Sequence, residues 1–295
     1  MACVYSIVAY GDPSVAATLE AALDEVDRID RLMSHYKPDS PLSTLNRSAA
    51  NGPVALDAEL FDFIVECLRY SRDSDGAFDV TVGPLMKAWG FFRGEGRVPS
   101  EREISELRTR VGYEHVVVDM ERKTVRFDAP GVELDLGGIA KGYAVDRVVG
   151  VLRSHGVVAA LVSAGGSTIY GLGSPPGRQG WDVALRDPID SRKVARTVRL
   201  RDRALSVSGS SEKSFEIGGV RYSHIMDPHT GRPVQGVLGV AVVTSDGTRG
   251  DALDDAFYVE GVERTREHLK RLPGTEVFFF LPGPKGKWKM IHVPE

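Results

Sequence analysis

The stretch Glu133–Asp146, Glu-Leu-Asp-Leu-Gly-Gly-Ile-Ala-Lys-Gly-Tyr-Ala-Val-Asp, constrains this chain more than any other. Apolar Val132, Leu134 and Leu136 alternate with Glu133 and Asp135, which predicts a short strand over Val132–Leu136. Gly137-Gly138 then permits a tight turn and lets another group approach the backbone closely. Ala140, Val145, Val148, Val149 and Leu152 follow at helical spacing and predict an amphipathic helix over Ile139–His155. A strand, a glycine turn and a helix N-terminus carrying Lys141 therefore meet at one point. Free N–H groups, the positive end of the helix dipole and an ammonium all favour a phosphate there. Taken alone, the pattern equally suits an ordinary strand-to-helix turn that uses glycine for positive φ. Neither G-x-x-x-x-G-K-S/T nor a G-x-G-x-x-G between strand and helix is present.

The surrounding chain narrows the choice. Its 295 residues can bury a substantial core, in one elaborate domain or two lobes. A net charge of −4 and the lack of any basic run exclude an electrostatic footprint for nucleic acid. Two cysteines and seven scattered histidines argue against a disulfide framework and a structural zinc site. No apolar run reaches membrane-spanning length, so no stable membrane insertion is expected. Met1-Ala-Cys-Val-Tyr-Ser-Ile is not a signal peptide; Val4, Ser6, Val8 and Tyr10 read as a first strand. Two readings follow, a cytosolic protein or one whose leader has been trimmed.

Asp12-Pro13 predicts a helix start, with Val15, Leu19, Ala22, Leu23, Val26, Ile29 and Met33 along one face. Lys37–Asn46, rich in turn formers, reads as a loop with Tyr36 at its mouth, where a flat ligand could stack. Helices are expected over Asp57–Arg72, from Pro84 towards Phe91, over Ser100–Val111, Arg249–Val259 and Arg264–Leu272. Strands are expected over Val116–Asp119, Thr124–Phe127, Ala159–Ser163, Ser167–Tyr170, Trp181–Leu185, Val194–Leu200, Leu205–Val207, Leu238–Thr244, Glu276–Leu281 and Trp288–His292. They lack a regular βαβ rhythm. The class is α+β, with mixed, largely antiparallel sheets and packed helices.

Polar residues inside apolar runs mark the candidate chemistry. Asp79 and Thr81 interrupt an apolar corner around Phe78. His224 sits in Tyr222-Ser-His-Ile-Met-Asp-Pro228, an ordinary strand-to-turn context. Asp251 and Asp255, four apart on a helix, put two carboxylates on one face. Acids at a helix start are usually just solvated. Beside Gly137-Gly138-Ile139-Ala140-Lys141, however, they suggest a diphosphate shared between an anion site and Mg2+.

With these motifs in order, the sequence resembles the ApbE-type flavin transferases, the FAD:protein FMN transferases, over essentially its whole length. The matching segments are the opening strand, Ser34-His-Tyr36 with Ser40-Pro-Leu-Ser-Thr-Leu-Asn46, Gly76-Ala-Phe-Asp79-Val-Thr-Val-Gly-Pro84, Leu134–Asp146 and His224-Ile-Met-Asp-Pro228. The resemblance implies a single domain over 1–295 with a compact two-lobed, T-fold-containing architecture. It implies FAD as substrate, Mg2+, and transfer of FMN to a Thr or Ser hydroxyl of an acceptor protein with release of AMP. FAD pyrophosphatase activity and a non-catalytic FAD-binding module are the alternatives.

By the same resemblance, Met1 and Tyr36 contact the isoalloxazine, and Ala77, Phe78 and Asp79 line the FAD cleft. Gly137, Lys141 and the backbone near Ile225 hold the rest of the dinucleotide. The Ala140 carbonyl and Asp251 ligate the metal, His224 sits near the reacting phosphate, and Lys141 steadies charge on the leaving AMP. Asp251 or His224 takes the acceptor's proton. One departure stands out: the family's Ala-Asp-Ala-Leu-Ser-Thr-Ala is here Gly250-Asp-Ala-Leu-Asp-Asp-Ala256, so Asp255 replaces a metal-binding threonine. Relatives of this type are typically exported.

Overall fold

Period-two alternation in seven segments builds one antiparallel sheet. In spatial order its strands are Tyr5–Ala9, Ala160–Ala164, Thr168–Leu172, Arg203–Gly209, Gly239–Thr244, Glu276–Pro282 and Trp288–Val293. The computed structural model describes residues 3–12, 15–92, 95–210 and 213–293. Gly239–Thr244 is buried at every position, which its unbroken apolar run Val240–Val243 requires. Its side chains alternate between two cores. Val240 and Val242 face helices, whereas Ala241 and Val243 face a two-stranded ribbon.

The described residues form seven α-helices: α1 (Val15–Met33), α2 (Pro41–Ser48), α3 (Ala58–Asp73), α4 (Gly83–Ala88), α5 (Glu101–Arg108), α6 (Ala140–Ser154) and α7 (Gly247–Leu269). α6 lies on Ala160–Ala164 and Thr168–Leu172, α7 on Arg203–Gly209 and Gly239–Thr244, and α1 packs onto α6. The two inner helices touch backbone to backbone: a Cβ on Gly142 would lie 2.1 Å from the Gly247 carbonyl oxygen. Asp146 ties them together, accepting hydrogen bonds from Gly247 N (2.7 Å), Thr248 N (2.8 Å) and Thr248 Oγ1 (2.6 Å). α3, the sheet formed by Val54–Ala55, Thr124–Phe127 and Val116–Asp119, and the central sheet share one continuous core. A smaller cluster of Leu85, Trp89, Ile104 and Met226 joins α4 and α5 to the hairpin Ser214–Ile217/Val220–Ser223.

Several elements differ from the sequence expectation, each for a local reason. Trp181–Arg186 and Val194–Leu200 form their own ribbon rather than extending the sheet. Trp181, Val183 and Leu185 point inward and need a sheet face to cover. Ser40 caps α2 through the Ser43 N–H with Pro41 at its first position, so the expected loop is half helix. Val132–Leu136 keeps its alternating burial but is extended rather than a full strand. The Asn46 side chain takes both backbone bonds of Leu134, and a single parallel bridge, Val82 to Glu133, remains. The two expected C-terminal helices are both present within α7, separated by the non-helical Gly261 (φ 72°), and the first starts earlier than expected, at Gly247, capped by Asp246. Leu23 is exposed although its spacing placed it on the buried face of α1. Met1 and Pro13 lie outside the described residues.

Candidate active site

Because α7 begins at Gly247, Asp251 and Asp254 lie past its first turn and are buried, 4% and 3% exposed. The solvated-acid reading therefore fails for Asp251, whereas Asp255 is half-buried. Asp251 accepts from Gly142 N at 2.6 Å and from Thr168 Oγ1 at 2.6 Å, so it caps the first turn of α6 from a neighbouring helix. Burial pushes its carboxyl above the usual range, while Lys141, Thr168 and Gly142 favour the ionised form. Burial, and then the charges of Asp255 and Asp251, push the Asp254 carboxyl well up. The Ser208 hydroxyl donates to Asp255 Oδ1 (2.7 Å) and lies 3.1 Å from Asp254 Oδ1.

These groups line one cleft of about 350 Å³, closed on its other walls by the end of α1, Ala77-Phe78-Asp79, Gly137-Gly138 and His224-Ile225-Met226. Lys141, at the start of α6, donates to Ser167 Oγ at 2.6 Å. His224 lies across from it, half-buried, with Nδ1 3.3 Å from the Lys213 carbonyl oxygen. Burial, and then the Lys141 and Lys213 charges, lower its pKa to about 4, so it is neutral at pH 7. At the far end Tyr36 stacks on Phe92, centroids 4.7 Å apart and planes 7° apart, with His35 tilted against both rings. His35 Nδ1 lies 3.0 Å from Asp135 Oδ1, which also accepts from Gly137 N at 2.8 Å. Burial works to raise the Asp135 carboxyl, but His35, Gly137 and Lys213 outweigh it and hold it below its ordinary value.

The glycine turn does not offer a row of free amides. Gly137 N is bound to Asp135, Ile139 N and Ala140 N to the Leu136 carbonyl, and Gly142 N to Asp251. Neither Gly137 nor Gly138 has positive φ. Their lack of a Cβ serves close approach by carboxylates instead. A Cβ on Gly138 would lie 2.4 Å from Asp255 Oδ2, and one on Gly137 2.9 Å from Asp135 Oδ1. Positive charge at the turn thus comes from Lys141 and the helix dipole.

A protein-family model, the ApbE family, matches residues 1–279. The FAD:protein FMN transferase of Treponema pallidum (strain Nichols) is 35% identical over 286 residues, covering 90% of this chain and 79% of the relative. That of Vibrio cholerae serotype O1 is 36% identical, covering 90% of this chain and 80% of the relative. The chain belongs to the ApbE family. Its fold agrees with the solved structure of the flavin transferase ApbE from Vibrio cholerae at a TM-score of 0.87 and 31% identity, over 99% of this chain and 94% of that one.

Within this ApbE-family cleft the structure gathers every candidate residue that falls in its described part: Tyr36, Ala77, Phe78, Asp79, Gly137, Ala140, Lys141, His224, Ile225, Asp251 and Asp255. Two have commitments that the sequence did not suggest. Both Asp79 oxygens are used internally, by Thr81 N and Oγ1 (2.8 and 2.6 Å) and by Tyr113 N (2.7 Å), so Asp79 shapes the wall. The Ile225 carbonyl accepts from Val234 N. Sequence reasoning missed Lys213, Phe92, Asp254, Ser208 and the His35–Asp135 pair. Asp254 carried a signal as a change in Gly250–Ala256, and His35 and Asp135 as members of the segments Ser34–Tyr36 and Leu134–Asp146; Lys213, Phe92 and Ser208 carried none.

Proposed function

We propose that this chain transfers the FMN moiety of FAD to a Thr or Ser hydroxyl of an acceptor protein and releases AMP. The observation that carries this reading is the bond from Gly142 N to Asp251, which sets the carboxylates of α7 and the ammonium of Lys141 on facing walls of one cleft. Phosphoryl transfer asks a protein chiefly for such positioning and charge balance. The acceptor oxygen attacks the FMN phosphorus, the phosphoanhydride bond breaks, and the electron pair leaves with AMP. Lys141 steadies the charge that appears on AMP. His224 takes the hydroxyl proton: it is neutral at pH 7, whereas both Asp251 oxygens already accept hydrogen bonds. Tyr36, backed by Phe92, forms the platform for the isoalloxazine, between walls made by Ala77 and Phe78.

The carboxyl oxygens of Asp251, Asp254 and Asp255 gather in the same cleft as Lys141 and are hard-oxygen donors of the type that fits Mg2+. Among the described residues no three His, Cys, Asp or Glu side chains already converge as ligands, so substrate phosphate oxygens complete the set. Asp251, Asp255 and the Ala140 carbonyl are the protein donors in this reading. Mg2+ held there supplies charge neutralisation across the diphosphate. The test incubates the protein with FAD, Mg2+ and candidate acceptor domains, then weighs the acceptor and assays AMP. An adduct of one FMN per AMP released is expected. AMP without adduct would make the protein a pyrophosphatase, and neither product a binding module.

A further inference from the structure

The central sheet has two edges, and they differ. The strand Trp288–Val293 carries exposed Lys289 and is preceded by exposed Lys285 and Lys287, charges of the kind that discourage strand addition. Tyr5–Ala9 has no such protection: Val4-Tyr-Ser-Ile-Val-Ala-Tyr10 carries no charge and no proline. Gly165 N donates to the Val4 carbonyl and Tyr10 N to the Ala159 carbonyl, so even-numbered residues bond inward along the ladder. Ile7 and Ala9 therefore turn their N–H and C=O groups outward, where no backbone partner occurs among the described residues. Along this edge, Val4 (80% exposed), Val8 (55%) and Tyr10 (48%) alternate onto one face and form an apolar band, its end marked by Tyr10 against Trp181.

The edge leads into the cleft. Cys3, directly before the strand, lines the cleft with Gly165, Ser167 and Lys141. At ~3.3 Å per residue, Ile7 lies only about 13 Å from it. We infer that an extended segment of the acceptor protein adds to the outer edge of Tyr5–Ala9 as an eighth strand and so carries its hydroxyl residue to the cleft mouth. This rests on the transferase reading, which requires a polypeptide to reach the FMN phosphorus. Main-chain pairing supplies the affinity, and Val4, Val8 and Tyr10 take up alternate apolar side chains.

The probe is a ten-residue peptide of alternating valine with one central threonine, made also with single N-methyl groups scanned along its amides. Its FMN labelling is followed by mass, with FAD binding measured by flavin fluorescence. Labelling by the wild type should fall at least tenfold for N-methyl groups at every second position and stay unchanged at the others, because only alternate amides face a paired strand. Ala9→Pro, which removes only an outward donor, should raise the peptide KM at least tenfold and leave FAD affinity within twofold. Val8→Lys, at an exposed position, should do the same without touching the ladder. Labelling indifferent to N-methylation and to both variants would overturn the docking while the transferase reading stands. So would a wild-type dimer that Val8→Lys dissociates without changing peptide KM, since a second copy would then hold the edge. AMP release without any labelled peptide or protein would overturn both readings.

Discussion

Asp251 and His224 owe their character to burial rather than to their neighbours in sequence. His224 is neutral because burial and the Lys141 and Lys213 charges depress it. An NMR titration of the histidine Cε1–H signals should show one resonance, absent in His224→Asn, with its midpoint near 4. A midpoint near 6.5 would mean that neither burial nor the two lysines depress the ring. Asp255 sits against the Gly138 backbone and Ser208. Asp255→Thr should weaken Mg2+ and Ca2+ binding to the FAD-free protein by roughly three- to tenfold, the scale of one charge lost near a partly solvated cation. Superimposable calorimetric curves would show that Asp255 is no ligand. Residues with a motif, such as Tyr36, Lys141, His224 and Asp251, were legible in sequence. Lys213 and Phe92 were not, since each sits in a segment whose pattern carries no chemistry, and only tertiary packing brings Lys213 to the cleft and Phe92 against Tyr36.

The junction between α6 and α7 carries the geometry of the site. Its tightness depends on Gly142, whose missing Cβ lets α7 approach, and on Asp146, which caps α7. Gly142→Ala should cost about 1–3 kcal/mol of stability, the usual scale of overpacking. Turnover with FAD should fall further than that loss explains, because Asp251 moves with α7; a variant with lowered Tm but full turnover would contradict this. Burial raises the Asp146 carboxyl to about 6. Between pH 4 and 6 the folded chain keeps a proton there that the unfolded chain has released, so this site's contribution to stability falls as pH rises through that window. Urea titrations should show wild type losing on the order of 1–2 kcal/mol relative to Asp146→Asn between pH 4.5 and 7. A constant gap would mean the carboxyl titrates normally. Helices and strands with clear periods were readable within a few residues. α2 was not, because Ser40-Pro41 serves turn and helix start alike. The break within α7 at Gly261 was legible, since the expected helices stop and restart on either side of it.

At the scale of the whole molecule, an antiparallel sheet backed by α6 and α7 meets a smaller layer built on α2 to α5, and the cleft follows their seam. The α+β class followed from strand alternation without βαβ rhythm. Which face the ribbon Trp181–Leu200 covers did not, since alternation tells inside from outside but not one face from another. The central claim is that FAD lies along this seam with its diphosphate between Lys141 and the carboxylates of α7. A crystal structure of the wild-type protein with FAD and a chelator, which prevents turnover, tests it most directly. The diphosphate should lie within hydrogen-bond reach of Lys141 Nζ and beside Gly138, with the isoalloxazine on Tyr36 and Phe92 displaced or sandwiching it. FAD bound with its diphosphate away from Lys141 and α7, or its ring away from Tyr36, would contradict the account.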